Sequence, residues 1–552
     1  MKIVIVGGVA GGMSAATRLR RLNEDAEIII LEKGPYVSFA NCGLPYYVSG
    51  EIKKREKLLV QTPEKLKARF ELDVRTNSEA LSIDPAKKEV LVRGEEGEYA
   101  LSYDKIILSP GARPFVPNTP GLPEAKNVFT MRNVPDVDGV TSFIKEHQPK
   151  KAVVIGAGFI GLEMAEALKH RGLEVSVVEM APHVLPPFDV EMAMLIRDEL
   201  ERNGIHVYTG VAASGFQEEG KIVELQNGIR LESDLTIMSV GVLPENTLAQ
   251  SAGIALGMRG GILVDETYET SVKDIYAVGD AIIVKNQILN EDTMIPLANP
   301  ANRQGRQVAD VISGYKRKNK GAIGTAIVRV FNLSGASVGL NERQLTMASK
   351  TYKAVHVTAN DHAGYFPGAS DIFLKLLFNP EDGTIYGAQA VGQKGADKRI
   401  DIIATAIKGN LKVEDLMELE FTYAPPFGSA KDPVNMVGYA AVNLMEGFSE
   451  SIQWHELSKM REEGAFLLDV RDQVEVERSG AIKGFKNIPI NDLRARLEEL
   501  PKDQTIVVSC ASGQRSYMAE RMLRQKGYKA VNLDGAFNIY NVVKKEEIVK
   551  NV

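Results

Sequence analysis

The chain has 552 residues, 44% of them hydrophobic and 25% charged, with a formal net charge of −6. That length exceeds one hydrophobic core, so about two to four domains are expected, and the acidic balance excludes general attraction to nucleic acid or an anionic membrane. No apolar run reaches membrane-span length, and the seven histidines lack metal-ligand spacing, so neither a membrane span nor a metal site is expected.

The amino terminus runs straight into an apolar strand pattern, which leaves no room for a signal peptide. The only cysteines, Cys42 and Cys510, are far apart and give no disulfide framework. A reducing, cytoplasmic setting with two reactive thiols is expected.

Residues 2–6 read as a buried parallel strand. Gly7, Gly8, Val9, Ala10, Gly11 and Gly12 follow, then a helical pattern over 14–22 and a strand over 27–31 that ends at Glu32. This is a βαβ unit. Gly7 allows the tight turn, Gly12 lets the helix approach the sheet, and the helix start offers amides to a pyrophosphate. Glu32 can accept from a ribose hydroxyl. Val9 replaces the usual second glycine, so this fingerprint is imperfect. The helix carries Arg18, Arg20 and Arg21, read either as a solvated face or as ligands for the phosphates of a bulky anionic thiol.

Cys42 lies in the turn-rich stretch Ser38-Phe39-Ala40-Asn41-Cys42-Gly43-Leu44-Pro45-Tyr46 and is expected to be a redox thiol facing a flavin. Residues 103–114 read as a strand ending in a glycine turn. Residues 151–179 repeat the first unit in complete form. A strand over 152–155 runs into Gly156-Ala157-Gly158-Phe159-Ile160-Gly161, a helix over 162–171 and a strand over 175–178 ending at Glu179. Glu179 accepts from a free 2′-hydroxyl and repels a 2′-phosphate, so NADH is expected over NADPH. Glu163 reads as ordinary support for the helix dipole. Residues 270–281 form a strand running into Gly279-Asp280, where a carboxylate can bind a polyol, and residues 296–303 open a helix.

Over 325–445 the pattern turns to strands at 326–330, 354–358 and 373–378, then helices at 397–409 and 413–419. Tyr365 and Tyr423 lie in aromatic loops. From 452 a separate domain begins. A strand over 505–509 ends at Cys510, followed by a short loop with Gly513 and Arg515 and a helix over 517–526. Backbone amides and the helix start would lower the thiol pKa, and Arg515 can hold an anion.

Residues 1–445 resemble the flavin-dependent pyridine nucleotide-disulfide reductases. The Cys42 stretch is similar to their single-cysteine branch, the coenzyme A-disulfide reductases and the related NADH oxidases and peroxidases. Residues 452–552 resemble a rhodanese domain through Asp469-Val470-Arg471, Asn487-Ile488-Pro489 and the Cys510 loop, with Ala481 where a His is frequent. The resemblance implies an α/β fold: an FAD-binding Rossmann-like domain over 1–112 and 250–322, an NAD-binding one over 113–249, an α+β dimerisation domain over 323–446 and the rhodanese domain over 452–552. It implies FAD against Gly7 to Gly12, Glu32, Lys33, Ser109, Gly111, Asp280 and Ala298, and NADH against Gly156 to Gly161 and Glu179. Coenzyme A contacts map onto Ser14, Arg18, Arg21, Ser38, Asn41, Asn302 and Lys431. Phe70 stands where relatives carry a basic residue, leaving Arg69 or Lys67 to substitute.

The resemblance also implies a homodimer in which Tyr365 and Tyr423 serve the partner subunit. Electrons would pass from NADH through FAD to Cys42 and cleave coenzyme A disulfide, coenzyme A persulfide or polysulfide, while Cys510 carries sulfane sulfur. Two rivals stand beside this reading: an NADH oxidase or peroxidase cycling a Cys42 sulfenic acid, and a sulfur or redox sensor of low turnover.

Overall fold

The structure, a computed structural model, describes residues 1–550; the last two positions of the expected 452–552 domain lie outside the described residues. The chain forms two units, one of Met1–Pro182 with Gly204–Gly324 and one of His183–Asn203 with Thr325–Val552.

The first unit holds two parallel five-stranded sheets. One orders Ile275–Ala277, Lys105–Leu108, Lys2–Val6, Glu27–Leu31 and Asp73–Arg75. The other orders Ile205–Thr209, Glu174–Glu179, Lys151–Ile155, Leu235–Met238 and Val128–Phe129. The unbroken apolar runs of the central strands are explained by burial on both faces. Each sheet feeds a glycine turn and a helix, Ala10–Leu22 in the first and Phe159–His170 in the second. Both helices begin earlier than expected, because their first turns contain the glycines that helix propensity discounts.

In the second unit an antiparallel sheet orders Ala326–Val330, Leu333–Gly339, Ile385–Gly392, Asp371–Phe378 and Lys353–Asn360. Helices Ala396–Lys408, Pro433–Met445 and Val190–Arg202 pack on it. Leu333–Gly339 and Ile385–Gly392 were not expected as strands. Their Gly, Ala and Ser residues are weak strand formers, but the pairing needs small residues. A Cβ on Gly387 would sit 2.1 Å from the Leu340 carbonyl oxygen. The C-terminal domain is a parallel sheet of Ser451–Ile452, Lys529–Leu533, Thr505–Ser509, Phe466–Asp469 and Lys486–Asn487, with helix Gln514–Gln525 after the Cys510 loop. Among the described residues, no helix is long and apolar enough to cross a membrane.

Candidate active site

Both glycine turns are closed by the same device. Gly7 has φ +99°, and a Cβ there would lie 2.0 Å from the Ser109 carbonyl oxygen; a Cβ on Gly12 would lie 1.9 Å from that of Gly7. In the second turn Gly156 has φ +100°, and a Cβ on Gly161 would lie 1.9 Å from the Gly156 carbonyl oxygen. Glu32 accepts the amides of Gly8 and Gly34, each at 2.9 Å. Glu179 accepts those of Ala157 at 2.7 Å and Ala181 at 2.8 Å. A carboxylate has about four lone-pair directions, so each keeps capacity for a ribose hydroxyl. Neither helix start has a side-chain cap or an acidic residue in its first turn, and the space facing Gly158 is open. These uncapped amides fit a pyrophosphate in each fold. Ala10, Phe159 and Ile160 stand on those first turns. Lys33 and Ala298 are exposed, Gly111 has φ +72°, and Asp280 lies in the turn Gly279–Ala281.

The Cys42 loop is tied to the first turn, because the Ser38 amide donates to the Gly8 carbonyl at 2.8 Å. Ser38 takes φ 47°, an uncommon conformation for a residue with a side chain. Cys42 occupies the single turn Asn41–Gly43 before helix Leu44–Ser49, and it is exposed. With its amide oriented to satisfy both partners, Asn41 donates to the Arg132 carbonyl at 2.9 Å and accepts from the Arg132 guanidinium at 3.1 Å. Arg132 reaches Asp280 at 3.4 Å, and the Tyr46 hydroxyl donates to Glu163 at 3.0 Å.

Around Cys42 this charge pattern works against the thiolate. Although its surface is accessible, partial desolvation by surrounding protein raises the thiol pKa, the Glu163 and Asp280 carboxylates raise it further, and Arg132 opposes them. The polypeptide alone favours the thiol. Glu163 is corrected from helix support to part of the thiol's electrostatic surroundings. Arg132 was missed, because it lies in no motif and reaches the loop only through the fold.

The residues mapped onto coenzyme A fall into groups. The Ser14 hydroxyl donates to Asn302 at 2.6 Å, across the contact of helices Ala10–Leu22 and Ala298–Ile312. Arg18 pairs with Asp310 at 2.7 Å, and Arg21 donates to the Thr17 carbonyl at 2.9 Å. Arg20 is buried and donates to the carbonyls of Phe70, Glu24 and Glu71, so it is a structural brace and leaves the anion-binding set. Phe70 packs against the core of the first unit, which explains its apolar character. In the second unit Lys431 is exposed just before helix Pro433–Met445. Tyr365 and Tyr423 are exposed there too, with hydroxyl oxygens 3.1 Å apart.

Cys510 is only 1% exposed. Its sulfur accepts from the Gly513 amide at 3.1 Å and the Ser516 hydroxyl at 3.3 Å. Ser516 was not singled out from sequence. Arg515 does not stand alone: its guanidinium is held by both Glu475 oxygens at 2.6 and 2.7 Å, so an anion at the loop would share it with that carboxylate. Arg471 clamps Asp469, and Asn487 donates to the carbonyls of both, so the expected motif residues brace the loop from within.

Comparison with known proteins matches these parts. Residues 1–305 match the pyridine nucleotide-disulphide oxidoreductase family, 325–433 its dimerisation domain, and 453–541 a rhodanese-like domain. A coenzyme A disulfide reductase of Staphylococcus haemolyticus is 37% identical over 446 residues, covering 80% of this chain and 100% of that protein. The crystal structure of reduced Bacillus anthracis CoADR-RHD superposes with a TM-score of 0.98 at 51% identity, covering 99% of each chain. The NAD-dependent persulfide reductase from A. fulgidus gives 0.93 at 36% identity, covering 98% of this chain and 100% of that one. The chain therefore belongs to the pyridine nucleotide-disulphide oxidoreductases, in the coenzyme A disulfide reductase branch that carries a C-terminal rhodanese domain.

Proposed function

We propose that the protein uses NADH to cleave the S–S bond of coenzyme A disulfide, coenzyme A persulfide or polysulfide at Cys42, with Cys510 carrying sulfane sulfur. One observation carries the reading: the only other cysteine of the chain is buried in the C-terminal domain. Cys42 therefore has no second thiol in its own unit, and its mixed disulfide must form with the substrate.

FAD at the first glycine turn and NADH at the second would supply the two electrons. Glu32 and Glu179 would hold the ribose hydroxyls, and the helix amides the pyrophosphates. The Cys42 thiolate attacks one sulfur of coenzyme A disulfide, forms a Cys42–coenzyme A disulfide and expels a coenzyme A thiolate. Tyr365 or Tyr423, contributed across a homodimer, protonates that leaving group. Two electrons and a proton then cleave the mixed disulfide. In sum, coenzyme A disulfide, NADH and a proton give two coenzyme A thiols and NAD⁺.

Ser14, Arg21, Ser38, Asn41, Asn302 and Lys431 would contact coenzyme A, and Arg18 would have to divide its charge between a phosphate and Asp310. Two free cysteines fit a reducing cytoplasmic setting. A peroxidase cycle through a Cys42 sulfenic acid leaves the rhodanese domain without a role, and a sensor does not need two complete nucleotide folds. The test is sulfide release from polysulfide, and NADH oxidation with coenzyme A disulfide, by Cys42→Ser and Cys510→Ser. Undiminished turnover in Cys42→Ser overturns the proposal.

A further inference from the structure

The Cys510 loop is anchored on both sides by buried polar contacts. Strands Thr505–Ser509 and Lys529–Leu533 run parallel, so their ends deliver Cys510 and Asp534 side by side. Just beyond, the Phe537 and Asn538 amides donate to the carbonyls of Cys510 and Ala511 at 3.0 and 2.9 Å. Asp534 is buried. Its oxygens accept from the His356 ring at 2.7 Å, the His356 amide at 3.1 Å and the Gln453 side chain at 3.0 Å.

His356 belongs to the antiparallel sheet, and its other ring nitrogen meets Glu191 at 3.1 Å. Glu191 also accepts from Trp454 at 3.2 Å and from Lys375, which is fully buried and bonds Glu342 and Asp189 as well. A ring with a carboxylate at each nitrogen donates from both and is an imidazolium. On the far side of the loop, helix Gln514–Gln525 is held through Tyr517 by Asn443 at 3.2 Å and through buried Glu520 by Ser449 at 3.1 Å.

A buried charge network is a poor way to gain stability but a good way to select one register, since any other placement strands its charges. We propose that His356 and Asp534 are positioning residues of sulfur transfer: the pair fixes the Cys510 loop on the antiparallel domain so that sulfur leaving Cys510 passes to coenzyme A. This rests on the reading that coenzyme A carries the sulfur. In that step a coenzyme A thiol attacks the outer sulfur of the Cys510 persulfide. A new S–S bond to coenzyme A forms, the bond to Cys510 breaks, and Cys510 leaves as thiolate, with no net oxidation or reduction.

The test uses the full-length holoenzyme. Cys510 is loaded with inorganic polysulfide, the protein is desalted, and sulfide release is timed after adding coenzyme A and NADH, with Cys510→Ser as background. His356→Gln and the near-isosteric Asp534→Asn should slow release roughly tenfold to a hundredfold, the cost of a small misplacement. Loading and NADH oxidation with coenzyme A disulfide should stay unchanged, and the double variant should be no slower than either single one. Release at the wild-type rate overturns the proposal, as does a parallel loss of all three measurements. A wild type that releases sulfide with NADH alone, and no faster with coenzyme A, sinks the carrier reading instead; the pair is then judged on that rate.

Discussion

The hydroxyl oxygens of Tyr365 and Tyr423 lie 3.1 Å apart although the residues are 58 positions apart in sequence. The hydrogen bond to Tyr423 raises the pKa of Tyr365 still further above neutral, where a phenol is already protonated. A protonated phenol is what a leaving thiolate needs. Tyr365→Phe and Tyr423→Phe should each lower steady-state NADH oxidation with coenzyme A disulfide, the direct donor by about a hundredfold and its neighbour by less. Wild-type turnover in both variants removes the tyrosines from the mechanism.

Cys42 gives a second test. Glu163 and Asp280 hold its pKa up and Arg132 holds it down. Glu163→Gln should therefore move the pH dependence of Cys42 alkylation by iodoacetamide to lower pH, and Arg132→Met should move it to higher pH. Cys510 is buried, so alkylation reports on Cys42. Profiles unshifted from wild type in both variants would remove Glu163 and Arg132 from the control of this thiol.

Much of the first unit was legible, because glycine motifs are local. Gly7, Gly12, Gly156 and Gly161 are required by backbone clashes within a few residues or with one neighbouring strand. The surroundings of Cys42 were not legible to the same degree. Glu163 and Arg132 lie far from Cys42 in sequence, and each also reads as an unremarkable surface charge. The partner of Arg515 was hidden for a related reason, since Glu475 lies 40 residues away. Arg18, Arg20 and Arg21 looked alike, yet only the fold buries Arg20 against the end of helix Pro63–Phe70.

His356 predicts a pH dependence of local stability. Burial disfavours its charge, but Asp534 and Glu191 outweigh that and raise its pKa from the ordinary 6.5 to about 9. Lys375, Asp189 and Glu342 complete the charges of the network. A raised folded-state pKa stabilises the folded form fully below pH 6.5, and the contribution is lost as pH rises through about 9. Hydrogen exchange of a peptide spanning Asp534–Tyr540, corrected for intrinsic rates, should therefore lose protection between those limits. In His356→Gln the protection should be lower at pH 6.5 and flat across the window. A wild-type profile without that slope would show that His356 is not the titrating group.

Glu179 tests the nucleotide preference. Its two oxygens hold the Ala157 and Ala181 amides, so the carboxylate is fixed at the end of strand Glu174–Glu179 and cannot turn away from an incoming 2′-phosphate. Like charges forced together cost several kcal/mol, roughly. Glu179→Gln removes the charge and keeps one acceptor oxygen. The ratio of kcat/KM for NADPH over NADH should rise by at least about tenfold, mostly through a lower KM for NADPH. The KM for NADH should rise modestly, because one backbone amide loses its acceptor and the ribose loses a charged one. Unchanged discrimination would place the selectivity outside this strand end, in the exposed segment that follows Glu179.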